Sequence, residues 1–150
     1  MTEESVFSVI SLTGGQHLCR RVTGAGKIYA MPPEPDGPRV FHALTGDALD
    51  TSSSPFGSVG RVFSGEGLEL VWVRKEAEEV DADWFSQDAV DLLVVLQGGL
   101  RCEFEDEAFS TRDLTPGDVL VLPAKTRCRA YRWPRNQAEP TIFIAAYPAG

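Results

Sequence analysis

Residues 91–132 read DLLVVLQGGLRCEFEDEAFSTRDLTPGDVLVLPAKTRCRAYR, and their reading decides the fold. An apolar run at 92–97 meets Gly98 and Gly99, and a second β-forming run at 100–105 follows at once. Short runs rich in Val and Leu, closed by paired glycines, predict two strands around a tight corner. Farther on, Thr115-Pro116-Gly117-Asp118 is a turn with a mechanism. Pro116 presets φ, and Gly117 accepts the positive φ that most residues avoid. Strands at 119–122 and 127–133 complete the stretch.

Working outward, the same punctuation continues. Strands are expected at 61–64, 68–74 and 141–147, set off by Gly65-Glu66-Gly67 and by the 134–140 segment with a proline at each end. Many short strands joined by Gly/Pro turns argue an all-β sandwich or barrel. Upstream, 5–12 alternates loosely and reads as a strand ending at Gly14-Gly15; 18–22 and 28–31 are further short runs around a Gly24-Ala25-Gly26 break. Pro32, Pro33, Pro35 and Pro38 cannot sustain a ladder, because proline removes the donor, so this part is expected to be a loop or surface arm. A short strand is expected at 40–44, a long irregular connection at 46–60, and helical composition only at 75–80, too short to organise anything. The expectation is one domain over 1–150, with arm strands and loops in 1–60 and the barrel core in 61–150.

Composition narrows the function. The net charge of -8 and the pI of about 4.7 oppose a nucleic-acid partner, whose affinity rests on Lys and Arg displacing counterions. No segment reaches the roughly 20 apolar residues that a membrane helix needs. Glu3 and Glu4 stand where a secretory leader carries positive charge, so a cytoplasmic protein is expected. The 3 cysteines, Cys19, Cys102 and Cys128, lack metal-knuckle spacing and fit reduced thiols.

The chain resembles the cupin superfamily, whose small β-barrel carries two motifs, G-x5-H-x-H-x3/4-E-x6-G and G-x5-P-x-G-x2-H-x3-N. The second is followed in frame by Gly117, Pro123, Lys125, Cys128 and Arg132, where Gly117 and Pro123 match and the last three depart. The tail of the first is followed by Asp91 and Gly98, with Asp91 in place of Glu; its two His positions fall on Phe85 and Gln87, or on Trp84 and Ser86. The resemblance covers residues 68–147 and implies a double-stranded β-helix, or jelly-roll, barrel with a small-molecule ligand and a homodimer. It also implies a metal in typical members, held by three His and a Glu. This sequence has 2 histidines, His17 and His42, both outside the matching positions, so the three-His site cannot be assembled.

What the ligand positions hold instead is an acid, thiols and a guanidinium. Alternation places Cys128, Ala130 and Arg132 on one strand face, and Leu100, Cys102 and Phe104 on one face of another. Asp91 and Cys128 are the candidate catalytic pair: the carboxyl as acid or base, the thiol as a nucleophile whose pKa Arg132 would lower. Arg132, Gln87, Trp84 and Cys102 are the candidate ligand-binding residues, with Arg132 holding an anionic group. Each has a plainer reading. Buried cysteine packs as a small hydrophobe, Asp91 begins a strand, tryptophan fills core or rim, and Arg127, Arg129 and Arg135 cover strand and pair with Glu103, Glu105 or Glu107. Three functions stay open at this level. The first is a cupin that binds or transforms a small polar or anionic molecule with neither metal nor other cofactor, its pocket closed by the 46–60 loop or the proline-rich arm. The others are a metal enzyme using Asp91 and Cys128, and a non-catalytic dimerising module.

Overall fold

Most strands form where the apolar alternation predicts them, and the ladders of the barrel show which face of each is inside. The computed structural model describes residues 6–10, 18–22, 28–30 and 37–149, the first three stretches as backbone. The chain divides into two compact units, residues 1–39 and residues 40–149. In the first, β1 (Val6–Ile10), β2 (Leu18–Val22) and β3 (Ile28–Ala30) form an antiparallel sheet in that order, with Val6 opposite Val22 and Arg20 opposite Ala30. The breaks expected at Gly14-Gly15 and Gly24–Gly26, and the arm at Pro32–Pro35, lie outside the described residues.

The second unit holds β4 (Thr51–Ser54), β5 (Gly57–Gly65), β6 (Leu68–Lys75), β7 (Asp91–Gln97), β8 (Leu100–Phe104), β9 (Arg112–Leu114), β10 (Val119–Leu122), β11 (Cys128–Arg132) and β12 (Thr141–Pro148). Six of them make one sheet in the order β10-β7-β12-β6-β5-β4, and three make another in the order β11-β8-β9. All pairings are antiparallel. The two sheets share one core of Leu93, Val95, Leu100, Cys102, Leu114, Leu122, Cys128 and Phe143. Removing such side chains from water supplies about 1.5–3 kcal/mol each, before the entropy of ordering them. The expected all-β barrel is thus observed as two sheets closing on one interior.

Several local expectations change. Residues 46–60 are no irregular lid: Thr51 pairs with Gly60 and Ser54 with Gly57, so β4 and β5 are a hairpin at the sheet edge. Residues 40–44 are no strand. Gly46 N–H donates to the His42 carbonyl at 2.7 Å and the Trp72 indole N–H takes the Ala43 carbonyl at 2.7 Å, which folds this segment into a turn over Trp72. Gly46 sits at φ 75°, and a Cβ there would come within 2.9 Å of the indole. No helix forms at 75–80, and among the described residues there is none at all, hence none long and apolar enough to cross a membrane. Lys75 instead ends β6 opposite Thr141.

The Thr115–Asp118 turn forms as expected. The Asp118 carboxylate accepts the Thr115 N–H at 2.8 Å, while Gly117 N–H and the Asp118 carbonyl bond Val95 at 2.9 and 3.1 Å. The Gly98-Gly99 corner also forms. Gly99 packs so closely that a Cβ would stand 1.9 Å from the Trp133 carbonyl oxygen. These features define two ends of the barrel, one with Gly99, Arg132 and Thr141, the other with Asp91, Cys128 and Tyr147.

Candidate functional site

Period-two alternation carries one row of side chains across the six-stranded sheet at the Asp91 end. Leu122 pairs with Asp91, Ala146 with Leu92, Tyr147 with Glu69, and Glu69 with Ser64. Leu93 and Val95, which share the face of Asp91, are core residues, so this row looks inward. A β-bulge between Arg61 and Phe63 changes the alternation of β5 and brings both Arg61 and Ser64 to Glu69. Ser64 Oγ donates a short hydrogen bond to Glu69 Oε1, and Arg61 Nε lies 3.6 Å from Glu69 Oε2.

Asp91 is the electrostatic centre of the row. It is 5% exposed, and its Oδ1 is buried with no hydrogen-bond partner. Burial pushes its carboxyl up to about 6, against a backbone hydrogen bond from Leu92. Burial also raises the Tyr147 phenol, helped by the Glu69 and Asp91 charges and opposed by Arg61.

From the other sheet come the two thiols. Cys102 lies opposite Ala130, and Cys128 opposite Phe104, which puts both sulfurs on the inner face of neighbouring strands. Interaction with the neighbouring thiol and burial raise Cys102, whose Sγ donates to the Glu103 carbonyl at 4.0 Å, and the same interaction lowers Cys128 against burial and the Asp91 charge. Phe85 exchanges two 2.8 Å backbone bonds with Cys128, extending this sheet by one bridge. Opposed residues share a face, so Phe85, 53% exposed, stands at the rim on the side of Cys128. Gln87, half-buried, gives its carbonyl to Lys125 N–H at 2.7 Å in the same segment.

The predicted residues therefore separate. Asp91, Cys102 and Cys128 share one neighbourhood, whereas Trp84 and Arg132 do not join it. The Trp84 ring lies 4.4 Å from the Arg129 guanidinium, which pairs with Glu103 at 2.9 Å on the outer face. That ladder continues with Tyr131 O–H on Glu103 at 2.6 Å and Arg101 on Asp113 at 2.6 Å. Arg127 pairs with Glu105 at 2.5 Å and Arg135 bonds the Glu78 carbonyl at 2.7 Å, so the arginine series is a solvated, paired face. Arg132 is four residues along β11 from Cys128 and cannot neutralise Asp91 or activate the thiol. Its guanidinium is taken by the carbonyls of Glu76, Gln137 and Glu139. Tyr147, Glu69, Arg61 and Ser64 escaped the sequence reading. All four sit on predicted strands, but only the ladder register and the bulge place them along the row that holds Asp91.

No family model matches the sequence, and no curated protein matches it either. Solved structures do. A cupin superfamily protein from Desulfitobacterium hafniense has a TM-score of 0.51 at 16% identity, covering 61% of this chain and 76% of its own. A cupin-like protein from Thermotoga maritima gives 0.54 at 19%, covering 75% and 82%. This is a cupin fold. KdgF from Halomonas sp. has a TM-score of 0.55 at 23% identity, over 74% of this chain and 95% of its own.

The positions that the motif resemblance aligns with metal ligands hold Phe85 and Gln87, or Trp84 and Ser86, with Asp91 and Cys128, a donor set unlike three imidazoles and a carboxylate. His42 is exposed in the turn over Trp72, bridged to Asp47. Among the described residues no group of three or more His, Cys, Asp or Glu is placed to hold a metal ion. The Asp91–Cys128 ligand set does not fit a metal ion.

Proposed function

We propose that this cupin-fold protein binds a small polar organic molecule bearing hydroxyl groups at the Asp91 end of its barrel, without the three-His metal. The observation that carries this reading is the buried, unpartnered Asp91 Oδ1. A buried acceptor without a donor is costly, about 1–3 kcal/mol, and a ligand hydroxyl would satisfy it. Tyr147 and the Glu69–Arg61–Ser64 group offer further donors and acceptors along the same row. A carboxyl held near neutrality is suited to take a proton from a bound molecule and return it, so Asp91 is the acid/base group of any reaction here, with Cys128 beside it. Gln87 stands with Phe85 on the segment at the rim of the proposed site, and Cys102 lies in the core beneath Cys128.

The test is calorimetric titration with a panel of monosaccharides and hydroxy acids. A binder is expected, and Asp91→Asn should weaken it at least tenfold, about 1.4 kcal/mol. Unchanged affinity in the variant, or no binder in the panel, removes the reading. We also propose a cytoplasmic homodimer. Buried free thiols at Cys102 and Cys128 fit a reducing compartment, and Val119 and Val121, 56% and 58% exposed on the edge strand β10, offer an apolar face to a second copy.

A further inference from the structure

Arg132 leaves one buried charge unaccounted for. The side chain is 7% exposed, and a guanidinium carries five N–H donors. Three carbonyls take three of them, from Glu76, Gln137 and Glu139, the last at 3.0 Å. Nε is buried with no acceptor, and one further Nη1 N–H remains. Carbonyl dipoles solvate the charge without neutralising it, and among the described residues no carboxylate lies within ion-pair distance of Arg132. Buried cations are ordinarily paired.

Beside it is a concavity of about 240 Å³ lined by Arg74, Glu76, Arg132, Ala138 and Pro140. Arg74 Nε lies 2.8 Å from Glu76 Oε1, which balances one of the two guanidinium charges and leaves the other in surplus. This surplus sits in a chain of net charge -8. Arg74 and Glu76 have side chains 38% and 52% exposed and form the outer lip, while Arg132 forms the buried floor.

We propose that this concavity is an oxyanion site, taking a carboxylate or phosphate group of a small molecule on Arg132 and Arg74. Guanidinium groups are preferred for such groups because their N–H donors match oxyanion geometry. The volume is below the roughly 300–1,000 Å³ of pockets for drug-sized ligands, which restricts the occupant to a small anion or one anionic end of a larger molecule. The site is independent of the Asp91 row. Arg74 pairs with Ile142 at the start of β12, whereas Glu69 pairs with Tyr147 near its end.

Titration of the full chain with inorganic phosphate and, separately, with malonate, at ionic strength held constant with sodium chloride, tests it. The side-chain Nε–H resonances of Arg132 and Arg74 are followed by ¹⁵N-resolved NMR. A saturable shift of both is expected in at least one arm, and the arm that saturates identifies phosphate or carboxylate. Arg74→Gln, at the half-buried lip and leaving the Arg132 floor intact, should weaken the titration at least tenfold. No saturable shift in either arm, a shift of Arg74 alone, or unchanged affinity in Arg74→Gln overturns the proposal.

Discussion

A single carboxyl sets the acid–base character of the barrel. Asp91 is raised from the ordinary 3.8 to about 6, so the folded protein binds its proton more tightly than the unfolded chain does. The sign follows from linkage. Folding is favoured by this group while it is protonated in both states, and that advantage is lost as pH rises from about 4 to about 6, after which the difference is constant. Two pKa units discounted for partial solvent access correspond to about 1–3 kcal/mol. Asp91→Asn is therefore expected to be more stable than the wild type by about that amount at pH 7.5 and nearly equal to it at pH 4. Urea unfolding of both proteins across that range checks this, and a pH-independent difference refutes it. The neighbouring thiols behave differently. Cys102 is fully buried in the core, and Cys102→Ser would place a hydroxyl where the sulfur packs, at a cost of about 1–3 kcal/mol read from the same denaturant curves.

At the level of elements, the corners do as much as the strands. Gly99 brings β7 into β8, receives Trp133 N–H on its carbonyl at 3.0 Å, and gives its own N–H to Gln137 at 3.1 Å. Gly99→Ala must move the Trp133 backbone, so a loss of at least about 2 kcal/mol and a lower melting temperature are expected; an unchanged thermal transition would contradict this packing. The strands at 68–74, 92–97, 119–122 and 141–147 were legible from the sequence because apolar alternation and Gly/Pro turns agree there. Those that were missed lack that agreement. Thr51–Ser54 is a run of Thr and Ser on an edge, and Arg112–Leu114 has Leu114 as its one apolar side chain. The candidate site was half legible for the same reason. The frame from Asp91 to Cys128 can be counted along the sequence, but Tyr147, Glu69 and Arg61 reach it through pairing register and a bulge, which composition does not encode. Arg132 shared the predicted face and still went elsewhere, because three loop carbonyls compete for it successfully.

For the whole molecule, the outer surface is uneven. The β11-β8-β9 sheet is covered outside by arginine–carboxylate pairs and arginine-stacked tryptophans, while the outer side of β10 and β7 shows Val119, Val121 and Leu92 to solvent. If that face joins two copies, the Val119→Asp/Val121→Asp variant should sediment at half the mass of the wild type at micromolar concentration. Equal masses would place the dimer contact elsewhere or leave the protein monomeric. The three tryptophans sit in three different surroundings. Trp72 is sealed under the 40–49 turn with its N–H on a carbonyl, Trp84 lies under Arg129 next to Phe85 at the rim of the Asp91 end, and Trp133 lies 3.4 Å from the Arg101 guanidinium at the other end. The protein thus carries its own optical reporters. Trp72 emission should stay blue until the second unit unfolds as a whole, a ligand arriving beside Phe85 should change the emission of Trp84, and an anion settling near Arg132 should register at Trp133, so single Trp→Phe variants would sort the three events by colour.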